Sequence, residues 1–109
     1  MTAVISQAAL TDTVTLSTTD FANIVSTISF TLLVGANVRI LAYNIMDPSS
    51  VQTRFKIDGT DVLESVGGQA MMLNKFFATG SHTIDYQAIS FGATTTTTRG
   101  ITVENLDLL

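Results

Sequence analysis

Apolar and polar residues alternate with a period of two along most of this chain. That spacing lays one face of a strand on a core and turns the other to water. The clearest run is Ile28-Ser29-Phe30-Thr31-Leu32-Leu33-Val34, with Ile28, Phe30, Leu32 and Val34 on one face and Ser29 and Thr31 on the other. Gly35-Ala36-Asn37 reads as the turn that follows. In the next strand Val38, Ile40 and Ala42 alternate with Arg39, Leu41 and Tyr43. Both faces of that strand are largely apolar, which predicts a central strand or one in an interface. Asp47-Pro48-Ser49-Ser50 stops it, because proline has no N–H to give a ladder and Asp and Ser favour turns.

Alternation resumes over residues 51–58, with Val51, Thr53, Phe55 and Ile57 inward and Gln52, Arg54 and Lys56 outward. Asp58-Gly59 predicts a type I′ hairpin turn, which needs positive φ at both central residues. A short return strand ends at Val66, and Gly67-Gly68 breaks the chain. Residues 69–77 form the next strand. Residues 78–81 turn, and residues 82–91 follow with Ile84, Tyr86 and Ala88 inward. After a run of five threonines, residues 99–108 make the last strand. Ile101 and Val103 share one face there and Leu106 and Leu108 the other, so a bulge is expected near Glu104-Asn105.

At the front, residues 12–17 alternate around Val14 and Leu16, whereas residues 2–10 carry small apolar groups with weak periodicity. The pattern predicts an N-terminal arm over residues 1–11 and about eight antiparallel strands over residues 12–109. It contains no well-capped helix. Short strands at this spacing, with turn residues between them, indicate an all-β sandwich or barrel.

Composition changes the picture at the surface. Charged residues are 13% of the 109, about half the usual share, while Thr (18) and Ser (9) make up much of the polar surface. So few charges leave sheet edges and outer faces poorly guarded in water. The expectation is that much of this surface is covered by further copies of the chain or by a larger assembly. Val4, Ile5 and Leu10 on the arm and the aromatics Tyr43, Phe76 and Phe77 are the candidate interface residues. Phe76 and Phe77 are adjacent, so one ring is expected in the core and the other under a neighbour.

Charge and chemistry exclude other classes. A net charge of −4 with five basic residues argues against a nucleic-acid groove. No apolar run approaches the ~18 residues of a membrane helix, and the first residues lack the basic and apolar regions of a signal peptide. The absence of cysteine excludes thiol nucleophiles, disulfides and zinc fingers. One histidine, His82, stands at a turn and is expected to bond backbone or cover an edge. Asp58, Asp61 and Glu64 lack calcium-loop spacing and fit a hairpin tip. No cofactor, metal site or catalytic group is expected, and the chain reads as a non-enzyme.

The chain also resembles, over roughly residues 12–108, the small jelly-roll proteins of tailed phages. The resemblance lies in the Ser/Thr-rich opening before Phe21-Ala22-Asn23-Ile24 and in Phe30-Thr31-Leu32-Leu33-Val34-Gly35-Ala36 leading into Val38-Arg39-Ile40-Leu41-Ala42. It continues in the hairpin Phe55-Lys56-Ile57-Asp58-Gly59-Thr60-Asp61-Val62, the turn Gly80-Ser81-His82-Thr83-Ile84 and the closing strand. It implies a jelly-roll sandwich acting as a capsid decoration (cement) protein. Such a protein binds the major capsid protein on the outer head surface as a homotrimer, after assembly in the host cytoplasm. The alternative it implies is a receptor- or glycan-binding domain of a tail or head fibre.

Overall fold

The computed structural model describes residues 3–10, 14–16, 19–45, 51–66, 70–90, 95, 96 and 98–107. The strands are β1 (Ala3–Leu10), β2 (Val14–Thr15), β3 (Ala22–Asn23), β4 (Ile28–Leu32), β5 (Ala36–Ile45), β6 (Val51–Ile57), β7 (Thr60–Val66), β8 (Ala70–Phe77), β9 (Gly80–Ser90), β10 (Thr95–Thr96) and β11 (Thr98–Asn105). Eight of them have five residues or more: seven of the eight strands expected over residues 12–109, and β1. Every pairing is antiparallel.

The first sheet runs β1-β11-β5-β8, and the second runs from β7 through β6 to β9. β3 and β4 share the far side of β9, β3 against Ala88 and Gln87 and β4 against residues 80–84. β2 and β10 form a separate two-stranded ribbon. The chain crosses between the sheets, and its first and last long strands lie side by side in the first. That is the jelly-roll form of the β-sandwich.

The core is the meeting of the two inner faces. Val38 and Ile40 on β5 and Ile101 and Val103 on β11 face Phe55 on β6 and Ile84, Tyr86 and Ala88 on β9. Asp58 has φ 51° and Gly59 φ 82°, so the β6–β7 turn takes the positive-φ geometry that an Asp-Gly pair predicts. One buried charge joins the sheets. Arg99, on the inner face of β11, donates from Nε to the carbonyl of Ile24 in the segment between β3 and β4. The Ile24 N–H in turn donates to the carbonyl of Tyr86 on β9 (3.0 Å).

Four expectations change. The strand predicted through Val34 ends at Leu32, because its partner β9 begins at Gly80, which pairs with Leu32. Leu33 and Val34 therefore project from a bend, and Ala36 already belongs to β5. The segment expected as an arm contains β1, which pairs with β11 from Ala3↔Asn105 to Leu10↔Arg99 and so forms an edge of the chain's own sheet. Small residues make that pairing easy to overlook: Ala9 lies opposite Gly100. The bulge lies on β1, where Ile5 is the extra residue between Val4↔Glu104 and Ser6↔Val103; β11 keeps its register with β5 through Asn105. Finally, Phe77 is a core residue, 2% exposed, and not an interface aromatic.

Candidate interaction surface

The two outward faces of the sandwich differ sharply. On the second sheet, polar groups are tied to one another. Arg54 Nε donates to Gln87 Oε1 (2.9 Å), and Gln87 Nε2 donates to Asn23 Oδ1 (2.8 Å). Asn23 Nδ2 donates to Asp85 Oδ1 (3.1 Å), which also accepts from the Thr27 hydroxyl. Arg54 further pairs with Asp61 (3.1 Å), and its guanidinium lies 4.0 Å from the centre of the Phe21 ring. This face is solvated by a continuous hydrogen-bonded network.

The outer face of the first sheet carries the ion pair of Arg39 with Glu104 (3.1 Å), the polar Asn37, Asn74 and Thr102, and between them large apolar side chains. Leu41 on β5 lies opposite Met72 on β8, and both are exposed. Tyr43 lies opposite Gly100 on β11, and a Cβ at residue 100 would stand 2.6 Å from the Tyr43 ring. A side chain at residue 100 would have to displace the Tyr43 ring, which stands over the glycine. Phe76, 59% exposed, brings the tip of its ring over Gly35, where a Cβ would stand 2.7 Å from Cζ. Leu33 (90%) and Val34 (76%) project from the bend before Gly35. Leu41, Tyr43, Met72 and Phe76 thus put exposed large apolar side chains on the β5–β8 half of the sheet, on either side of Arg39 and Asn74, with Leu33 and Val34 at the bend that enters β5; such exposure marks an interaction site.

Of the sequence candidates, Tyr43 and Phe76 stand on this face. Phe77 faces the core. Val4, Ile5 and Leu10 lie on β1, at the far edge of the same sheet, and their side chains are outside the described ones. Sequence reasoning missed Leu33, Val34, Leu41 and Met72. The signal for Leu41 was present in the two apolar faces of β5. For Met72 it was the shared parity with Phe76.

His82 is the main titrating group at the end of the sandwich. Its Nδ1 lies 2.8 Å from Asp58 Oδ2 and its Nε2 2.7 Å from the Ala78 carbonyl oxygen. Both ring nitrogens face acceptors, so the charged imidazolium satisfies both. The hydrogen bond to Asp58, helped by the Ala78 carbonyl, raises the His82 pKa above its ordinary 6.5 against the opposing effect of burial. Burial pushes the Asp58 carboxyl up, but hydrogen bonds from His82 and from the Thr83 N–H outweigh it and bring the pKa below 3.8. The histidine contribution is complete below pH 6.5 and is lost as pH rises through its raised pKa; the aspartate contribution is complete above pH 3.8 and is lost as pH falls through its lowered pKa. Urea midpoints should therefore form a plateau between those values and decline on both sides. The amplitude should be about 1 kcal/mol or less, because the carboxylate is half exposed. His82→Gln should flatten the alkaline decline and shrink the acid one, leaving at Asp58 the part that the Thr83 N–H supplies.

Among the described residues no group of three His, Cys, Asp or Glu could hold a metal ion. Asp58 is engaged by His82 and Thr83, and Asp61 by Arg54.

No family model and no curated protein matches the sequence. Solved structures do match in shape. FlhE superposes with a TM-score of 0.54 at 16% identity, over 91% of this chain and 96% of that one. The VP2 subviral particle of infectious bursal disease virus superposes with a TM-score of 0.50 at 9% identity, over 96% of this chain and 32% of that one. An exo-β-1,3-galactanase from Phanerochaete chrysosporium, bound to β-1,3-galactotriose, gives 0.50 at 14% identity, over 93% and 29%. The likeness is one of fold. This chain spans about a third of the length of the viral and galactanase chains and nearly all of FlhE.

Proposed function

We propose that this chain is a structural protein of a virion: a non-enzymatic decoration protein that binds the outer surface of a capsid as a homo-oligomer and stabilises the head. The observation that carries the reading is the contrast between the two outer faces. One is solvated by its own polar network, and the other presents Leu41, Tyr43, Met72 and Phe76 to water in a chain with only 14 charged residues. A protein repeated over a shell gains from many modest contacts acting together. The jelly roll, shared in shape with a viral particle protein, is consistent with this role, as is the phage resemblance.

The test is co-sedimentation of the purified protein with capsids assembled from the major capsid protein of the same genome. The double variant Leu41→Ser/Tyr43→Ser removes two exposed side chains without touching the core. It should keep its melting temperature and lose about tenfold or more in capsid affinity. Unchanged binding by this variant, or no binding by the native chain, overturns the reading. Deleting residues 2–10 is a poorer test, because it removes the strand that covers β11 and should lower stability as well.

One observation favours a second reading, a glycan- or receptor-binding domain of a tail or head fibre. The Tyr43 ring, exposed and standing over Gly100, is an aromatic of the kind on which sugar rings stack. Binding to a glycan array that disappears in Tyr43→Ala would support it over the capsid reading.

A further inference from the structure

A sandwich has four strand edges, and an unguarded edge is a template for another strand. Three of the four here are interrupted. β1 carries the bulge at Ile5. β7 has a register shift, with Leu63 the extra residue between Arg54↔Glu64 and Phe55↔Val62. The edge formed by β3 and β4 is broken between Asn23 and Ile28. β8 differs. It pairs with β5 in unbroken register from Ala36↔Phe77 to Tyr43↔Ala70, it contains no proline, and among the described residues no strand pairs with its other side. Its one charge is Lys75, which has the inward parity of Leu73 and Phe77, with its Nζ 5.8 Å from the centre of the Phe77 ring; it is the one guard on this edge.

We propose that β8 is the joint between two copies of this chain, which pair edge to edge, antiparallel, about a twofold axis at Asn74. The occupant is a second copy because the strand is complementary to itself, in a register that parity fixes. A twofold axis perpendicular to the sheet keeps both outer faces on one side, so residues directly opposite must share a face. The axis must then pass through a residue and not between two. Placed at Leu73, it sets Met72 against Asn74 and Ala70 against Phe76. Placed at Asn74, it sets Met72 of each copy against Phe76 of the other, twice over. These two large exposed side chains of β8 become a pair of thioether–aromatic contacts. The axis at Asn74 also brings two polar amides together, and it sets Lys75 opposite Leu73, with the two lysines diagonal and not face to face.

The product is one continuous eight-stranded sheet, β1-β11-β5-β8 joined to its copy. The exposed apolar side chains lie along its middle, because they increase from β11 toward β8. This pairing stands independently of the capsid reading. It is also twofold, whereas the phage resemblance implies a trimer, so the stoichiometry is decisive.

The chain has no cysteine, which makes the register directly testable. Residues 74 of the two copies would be a directly opposed pair, about 4.5–5.5 Å apart at Cα, within reach of a disulfide. Residues 72 would be about 14 Å apart and out of reach. Under mild oxidation, Asn74→Cys should run as a cross-linked dimer on a non-reducing gel, with a yield exceeding that of Met72→Cys by about tenfold or more. Light scattering of the native chain should give twice the chain mass. A monomer or trimer mass, no cross-link at residue 74, or equal cross-linking at residues 72 and 74 would each overturn the pairing. None of these measurements involves a capsid, so its failure is separable from that of the proposed function.

Discussion

Replacing Phe77 with alanine is expected to lower stability by about 3–5 kcal/mol, a large part of the ~5–15 kcal/mol that holds such a domain. Phe77 meets the Phe30 ring edge-on (centroids 5.5 Å) and the His82 ring nearly perpendicular (4.9 Å). It therefore fills the corner where β8 of the first sheet faces β4 and β9 of the second. Truncation opens a cavity there and removes the wall against which His82 is held, so the pH profile of stability should also flatten. The neighbouring Phe76→Ser should cost less than about 1 kcal/mol, because its ring is already in water. Urea denaturation of the two variants side by side checks the assignment. Equal losses would mean that the faces of β8 had been read the wrong way round.

Arg99→Ala is expected to be the second severe substitution, at about 3–5 kcal/mol. Arg99 is 1% exposed, and its guanidinium serves the Ile24 carbonyl across the interior. Alanine leaves a cavity and takes away the donor to a buried carbonyl. Arg99→Met keeps most of the volume and removes the cost of a desolvated charge, so it should recover roughly half of the loss. The order native, then Met, then Ala in urea midpoint is the expected result. Methionine as poor as alanine would assign the whole effect to the lost polar contacts.

The features that were legible beforehand are those set by neighbours in sequence. Asp58-Gly59 needs only its own two residues to specify a turn, and the alternation of β6 and β9 places Phe55, Ile84 and Tyr86 inward without knowledge of any partner. What failed depends on strands far away. Nothing within Leu32-Leu33-Val34 reveals that β9 begins at Gly80 and leaves the last two residues unpaired. Residues 3–10 look like an arm because their partner, β11, lies almost a full chain length away. Arg99 shares the parity of Ile101 and Val103, yet an arginine at a strand start reads as exterior until its carbonyl acceptor, 75 residues earlier, is brought opposite. For Phe76 and Phe77 the alternation shows that the rings part, and only packing decides which one goes inward. The candidate surface was half legible for the same reason: Tyr43 and Phe76 are conspicuous as aromatics, whereas Leu33 and Val34 become surface only through the early end of β4.

The place of β11 between β1 and β5 has a consequence for how the protein is born. The middle of the first sheet is supplied by residues 98–105, so β1 and β5 have no common neighbour until that segment has left the ribosome. Until then an unpaired β1 and a one-sided β5 must wait as exposed ladders, and the sheet can close only after the segment emerges. Such late, long-distance closure is intrinsically slow. Nascent chains stalled before residue 98 should therefore be conspicuous chaperone clients, and their release by the final strand would mark the moment at which the sandwich comes into being.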